Sequence, residues 1–309
     1  MKKFLLLIGS ACVSMLIIIL GVECWQSTID NNVYSNKYNY LKKNKEGIVT
    51  LVLGNSFMEN SFNPKLIGDS VFDLAISARW IYYDKELLQR YISDMPKLKN
   101  VIFGMGYAIP FWRSYHFPEE ANAAGHGREF VSNQKYMYEK FMNIRYDKAP
   151  YLYWFGFVRG FIDKETLFEK GVQPKEDYDG FVPLVGQMED YQVSQNINPN
   201  IIYNPHAKEQ IAEYKEYLME MAKLCRQNGI RFIVITPPCH GSYIANVRQE
   251  GLDILHGMMK DIQTDFPIEY IDYLQDEEFR GDSIYFNCSH LNSVGADLFT
   301  LRVKKDFGL

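Results

Sequence analysis

The feature that most restricts the fold is a set of short apolar runs, rich in β-branched residues and closed by Gly or Pro. They read GIVTLVLG over 47–54, KNVIFGMG over 99–106, IRFIVITPP over 230–238 and IEYIDYL over 268–274. Most show no polar alternation, as expected of strands buried on both faces, and that environment is supplied by a parallel sheet with helices on either side. The segments between them support this. Residues 83–93 have helical character, and 206–228 place Ile211, Tyr214, Leu218, Met221 and Cys225 three or four apart before Gly229 stops the helix. Further helices are expected over 243–264 and 292–305. The fold class is therefore α/β, with a mainly parallel sheet. Such sheets bind ligands beyond the carboxyl ends of their strands, so the residues after Gly54, Gly106, Pro237 and Leu274 are the ones to inspect.

Ahead of the domain, Lys2 and Lys3 precede an uncharged run over 4–22 broken only by Gly9, Ser10, Ser14 and Gly21. As a helix it would span about 28 Å, close to a hydrocarbon core of roughly 30 Å. The run is longer than a usual signal-peptide apolar region, and Gly21, Val22 and Glu23 make a poor cleavage site. Cys24 raises a lipoprotein reading that Val22 and Glu23 fit badly. An uncleaved anchor is preferred over both, and all three imply export, with the lysines retained on the cytoplasmic side. The expected organisation is an anchor or signal over 1–23, a polar tether over 24–46, and one α/β domain over 47–309 containing an insertion over 107–205.

The 309 residues are 47% hydrophobic and 15% aromatic, enough to bury a sizeable core. A net charge of -5 gives no electrostatic footprint for nucleic acid. The insertion holds 21 of the 46 Phe, Trp and Tyr residues between 107 and 203, which suits a small core of its own. Some of them, among them Trp112, Tyr115 and Trp154, are candidates to line a groove and stack on sugar rings. Five cysteines do not make a disulfide scaffold. Cys239 and Cys288 both fall in loops above the sheet and could bridge, although two buried thiols are the preferred reading. Cys239 and His240 are adjacent, and neighbours in an extended segment point apart. His116, His126, His206 and His256 share no metal-ligand spacing, so no metal or other cofactor is expected.

The first strand ends in GNSFMENSFNP, residues 54–64. Ser56 leaves a strand and enters a turn there, an arrangement that projects a hydroxyl above the sheet and leaves its own N–H free to donate to an oxyanion. The last block, YFNCSHLNSVGADLFT over 285–300, puts His290 just before the final helix, where it could act as base towards that hydroxyl.

These residues resemble the SGNH (GDSL-like) hydrolases, and within them the membrane-anchored branch linked to acylation of cell-surface polymers. Gly54, Asn55 and Ser56 are similar to the family's Gly-Asp-Ser block, followed by Asn63 and Pro64. Asn287, His290, Leu291, Asn292, Gly295 and Ala296 are similar to its D-x-x-H-L-N-x-x-G-A block. The resemblance covers roughly 47–106 and 206–309. It implies a three-layer, flavodoxin-like sheet, Ser56 as nucleophile and His290 as base, acting as an esterase or O-acyltransferase (acetyl being the expected acyl group) on an acylated carbohydrate polymer outside the cytoplasm. A membrane-bound O-acyltransferase is an implied partner. The opposing reading is an inactive module that binds polysaccharide or such a partner.

The departures from the pattern are chemical. Asn287 stands where the family has its triad Asp, and an amide orients imidazole without stabilising imidazolium. In serine proteases that exchange costs about 10⁴-fold. Three outcomes fit: a Ser–His dyad helped by a backbone carbonyl, another carboxylate (Asp282 or Glu59) in its place, or loss of hydrolysis. Ile76, Ser77, Ala78 and Arg79 replace the glycine block, and Gly104, Met105 and Gly106 lack the usual asparagine. Backbone N–H groups at Ser56, Ser77 and Gly106 are the candidate oxyanion donors. Asn55, Arg79, Tyr107 and Trp112 are candidate substrate contacts, with a structural ion pair as the commoner role for an arginine such as Arg79. Asn292 is expected to cap the last helix.

Overall fold

The computed structural model of the chain describes residues 2–27, 32–111, 128–145, 179–188 and 207–309. Helix α1 (Lys2–Ser27) contains an unburied window, Lys2–Gly21, of mean hydropathy 2.7, long and apolar enough to cross a membrane or to serve as a signal.

Helix α2 (Val33–Asn44) corrects the expectation of a tether. Asn32 and Ser35 close a capping box at its start, and Tyr34, Lys37 and Leu41 bury one side. Tyr40 stacks on Phe72 with ring centroids 4.4 Å apart. The segment looks polar because its inward positions are Tyr, Ser and Lys rather than aliphatics, so hydropathy alone does not reveal that it belongs to the domain.

The sheet is built from β1 (Thr50–Gly54), β2 (Val71–Asp73), β3 (Asn100–Gly104), β4 (Arg231–Thr236) and β5 (Ile268–Asp272), all parallel, in the order β2-β1-β3-β4-β5. Both faces are covered. Leu51, Leu53, Val101, Phe103, Phe232 and Val234 face one apolar layer, while Val52, Ile102, Ile233 and Ile235 face the other. This period-two division of uniformly apolar strands is the packing the sequence pattern required. Between β1 and β3 the order of connection reverses, and the carboxyl edge at such a switch point is where parallel sheets bind ligands.

A one-turn helix, α3 (Ser56–Glu59), leaves β1 directly, and α4 (Ile81–Tyr91) returns from β2. Helix α5 (Arg128–Met142) and α6 (Lys208–Gln227) follow. Met137, Tyr138, Met142 and Ile144 join the same apolar layer as α2, α4 and α6. The described part of the insertion thus packs onto the main core instead of forming one of its own. The single helix expected over 243–264 is two, α7 (Gly241–Ile244) and α8 (Gln249–Asp265). The Tyr107 hydroxyl lies between them, accepting from the Arg248 N–H and donating to the Arg248 carbonyl. A short antiparallel pair, β6 (Tyr285–Asn287) and β7 (His290–Leu291), precedes α9 (Ser293–Phe307). Asn292 caps α9 by accepting from Val294 and Gly295, and Gly308 ends it in the left-handed region at φ 63°.

Two glycines let β1 and β3 meet at this carboxyl edge. Gly54 has φ 128°, and a Cβ there would stand 2.8 Å from the Gly104 carbonyl oxygen. At Gly104 a Cβ would overlap the Met58 side chain. Gly104→Ala is therefore expected to cost about 1–3 kcal/mol by overpacking, read as a lower urea midpoint with unchanged slope.

Candidate active site

Ser56 and His290 meet although 234 positions separate them: Ser56 Oγ lies 2.9 Å from His290 Nε2. Ser56 is half-buried at the first position of α3. Asn55 caps that helix, its side-chain oxygen accepting from the Phe57 N–H at 3.1 Å. Asn55 therefore shapes the turn, and the expectation that it contacts substrate is corrected to a capping role. The Phe57 ring stacks on the His290 imidazole, centroids 5.4 Å apart at 22° between planes, which restricts the tilt of the base.

The other imidazole nitrogen resolves what Asn287 does. Asn287 Oδ1 accepts from the backbone N–H of Ser289 (3.0 Å) and of His290 (2.9 Å), so the amide oxygen, not its nitrogen, is turned inward. His290 Nδ1 stands 3.0 Å from that oxygen and 2.9 Å from Ser289 Oγ. Facing an acceptor, Nδ1 must carry the proton, which leaves the Nε2 lone pair for the Ser56 hydroxyl. The tautomer suited to general-base chemistry is thus enforced without a carboxylate. Pairing of Asn287 with His290 across the β6/β7 hairpin supplies the rigidity. Ser289 was not singled out by the sequence, and only its place in this tight hairpin identifies it.

Neither alternative carboxylate takes the Asn287 position. Asp282 pairs with His240 Nε2 at 2.9 Å. Glu59 binds Lys37 at 3.3 Å and accepts from both the N–H and the hydroxyl of Ser77. Glu59 does act on His290 through space, raising its pKa, but desolvation by burial dominates and brings the imidazole down to about 4 from its ordinary 6.5. His290 is neutral at pH 7.

Of the three oxyanion candidates, Ser77 is corrected, because its N–H is occupied by Glu59 at 2.7 Å. The N–H groups of Ser56 and Gly106 have no hydrogen-bond partner among the described residues. Gly106 lies just past β3 with its Cα against the Phe57 ring, a spacing that excludes a side chain.

Two candidate substrate contacts are core residues. Arg79 is 2% exposed; its Nη1 pairs with Asp84 at 2.9 Å and its Nε donates to the Tyr138 hydroxyl at 2.6 Å. Asp84 in turn accepts from the Gly54 N–H at 3.1 Å, so Arg79 helps anchor the turn that carries Ser56. Tyr107 is fully buried against Arg248. Both fell near the rim in sequence, but the space their large side chains occupy lies under it. Trp112, Tyr115 and Trp154 lie outside the described residues, as do His116, His126 and His206. Cys239 and Cys288 are buried free thiols, so the bridge is corrected in favour of the simpler reading. His256 pairs with Asp272 at 2.7 Å. Among the described residues no group of three or more His, Cys, Asp and Glu is placed to hold a metal.

A segment over 179–188 ties the two halves of the site together. Asp179 accepts from the Asp73 N–H, and the Val182 N–H donates to the Glu59 carbonyl while its own carbonyl accepts from Asn60 Nδ2. Further along, Leu184 accepts from the Ser293 N–H, Gly186 accepts from Asn292 Nδ2, and the Met188 N–H donates to the Tyr285 carbonyl. The strap thus bonds first to the serine side and then to the histidine side.

No family model matches the sequence, and no curated protein matches it. Solved structures with similar backbones include a chain from Bacteroides fragilis NCTC 9343 described as a "putative acylhydrolase", 10% identical, with TM-score 0.40, covering 87% of this chain and 94% of that one. Another is a GDSL-like lipase from Bacteroides thetaiotaomicron VPI-5482, 9% identical, with TM-score 0.43, covering 89% of this chain and 98% of that one.

Proposed function

We propose that this protein is a serine ester hydrolase or O-acyltransferase, anchored by α1 and acting outside the cytoplasm on acylated carbohydrate. The observation that carries the chemistry is the 2.9 Å approach of Ser56 Oγ to an imidazole whose far nitrogen is held as N–H by Asn287. In this reading Ser56 Oγ attacks the ester carbonyl carbon while His290 Nε2 takes its proton. The carbonyl oxygen becomes an oxyanion received by the Ser56 and Gly106 N–H groups. Collapse breaks the bond to the leaving alcohol, which takes the proton back from His290, and an acyl-Ser56 remains. Water attacking the acyl carbon completes hydrolysis, and a sugar hydroxyl completes transfer, with His290 again the base. The carbohydrate substrate and acetyl as the acyl group rest on the resemblance of the Ser56 and His290 blocks and on the aromatic-rich insertion.

A second reading has its own observation. Asn287 supplies no charge, and burial keeps His290 from protonating, as in a site that holds polysaccharide or a membrane-bound O-acyltransferase partner without turning over. Fluorophosphonate labelling separates the two. Label on the wild type that is absent from Ser56→Ala supports the enzyme; no label on folded protein supports the binding module. The pH dependence is a further check. His290 must be neutral to accept a proton, so kcat/KM should stay level from neutral pH down to about 4 and fall only below it. A limb near 6.5 would contradict the desolvated environment.

A further inference from the structure

We infer that the rim carrying Ser56 and His290 faces the lipid bilayer and seats an apolar patch in its interface, so that the site meets its substrate at the membrane surface. This rests on the reading of α1 as an uncleaved anchor.

The direction in which the chain enters the domain carries the argument. α2 ends at Asn44 and β1 begins at Thr50, so the end of α2 lies at the amino edge of the sheet. Lys45 confirms this by pairing at 2.5 Å with Asp94, just after α4. The 12-residue α2 then reaches back about 18 Å to the carboxyl edge. Its first turns lie there: Lys37 donates to the Ala75 carbonyl beyond β2 and pairs with Glu59 in the helix that begins with Ser56. The Tyr34 ring packs edge-on against Tyr138, which binds Arg79. The chain therefore joins the domain at the catalytic rim.

The connection is short. From the end of the apolar window at Gly21, residues 22–27 add about 9 Å of helix. Residues 28–31 can span at most about 14 Å. The start of α2 at this rim is thus held within roughly 25 Å of the hydrocarbon edge, while the opposite edge of the sheet lies a further strand length away.

Among the described residues, an exposed group of apolar side chains lies on this same rim. Val185 is 80% exposed, Val294 58%, and Val182 and Phe286 each 37%. The strap makes them neighbours: Leu184 accepts from Ser293, Gly186 abuts the Phe286 ring, and Val182 is bonded to the Ser56 helix. Leu298 continues the patch one turn along α9. Scattered apolar residues need no explanation, but a contiguous group on the face that the anchor draws towards lipid has an occupant at hand.

The test uses the full chain in phosphatidylcholine vesicles, with and without doxyl-labelled phosphatidylcholine as quencher, and an NBD probe at one accessible cysteine per sample, the buried Cys225, Cys239 and Cys288 being left in place. The positions are native Cys12 with Cys24→Ser, then Val185→Cys, Val294→Cys and Lys97→Cys, the last three with Cys12→Ala and Cys24→Ser. Lys97 marks the amino edge. Cys12 should be quenched, and probes at 185 and 294 should be quenched at least ~3-fold more than at 97, as for groups ~5–10 Å into the interface. Equal quenching at 185, 294 and 97 with Cys12 quenched overturns the inference and leaves the anchor standing. An unquenched Cys12 overturns both. A blue-shifted probe at 185 without lipid quenching overturns it, in favour of a second copy if the shift depends on protein concentration, or of burial by the chain itself if it does not. Fluorophosphonate labelling of the same vesicles reports the ester chemistry separately.

Discussion

Ser56→Ala and His290→Ala are each expected to lower kcat/KM on an activated ester by about 10⁴–10⁶-fold, with the double variant losing little more. The two side chains share one proton at 2.9 Å, so removing either stops the same step. The measurement is steady-state hydrolysis of a p-nitrophenyl ester by all three variants, with urea melts to confirm folding. Multiplying losses would mean that the groups act independently, contrary to a shared proton transfer. Equal rates in wild type and variants would assign any activity to something other than this pair.

Asn287→Asp is expected to raise kcat/KM at neutral pH by about 10–100-fold and to move its acid limb upward from about 4. The sign follows from the charge. A carboxylate beside Nδ1 favours imidazolium, so His290 protonates at higher pH, and the same interaction stabilises the imidazolium that forms as Ser56 attacks. Geometry should survive, because the backbone N–H groups of Ser289 and His290 that hold Asn287 Oδ1 suit a carboxylate oxygen equally. Asp to Asn is ruinous in serine proteases through the wrong tautomer. Here the asparagine already enforces the right one, so only the electrostatic part remains to be gained. A pH–rate profile of both proteins reads the shift. A variant that stays silent on ester and fluorophosphonate alike would favour the binding module.

How much of this was legible in the sequence depended on how local the cause was. The buried strands and the helix of 208–227 were readable because burial on two faces or along one stripe leaves a periodic trace. α2 was not, because its buried positions are Tyr, Ser and Lys, satisfied by partners such as Glu59 and Ala75 that lie far along the chain. Ser56 and His290 could be named from their blocks. For Arg79 and Tyr107 the cause is the opposite: proximity to a strand end in sequence does not say whether a side chain rises above the rim or folds beneath it. Asp84, Tyr138 and Arg248 decided that.

The α/β class and the apolar N-terminal segment are written in composition and period, whereas Ser56 and His290 are candidates from their places in the chain and from the resemblance of their blocks to a known family. That Asn287 presents its oxygen to His290, that Glu59 is taken up by Lys37 and Ser77, and that α2 brings the chain in at the rim carrying Ser56 follow only from the folded arrangement. The reason is physical. A hydrogen bond's direction and a helix's place depend on partners tens or hundreds of residues away, and those meet only when the sheet closes its layers.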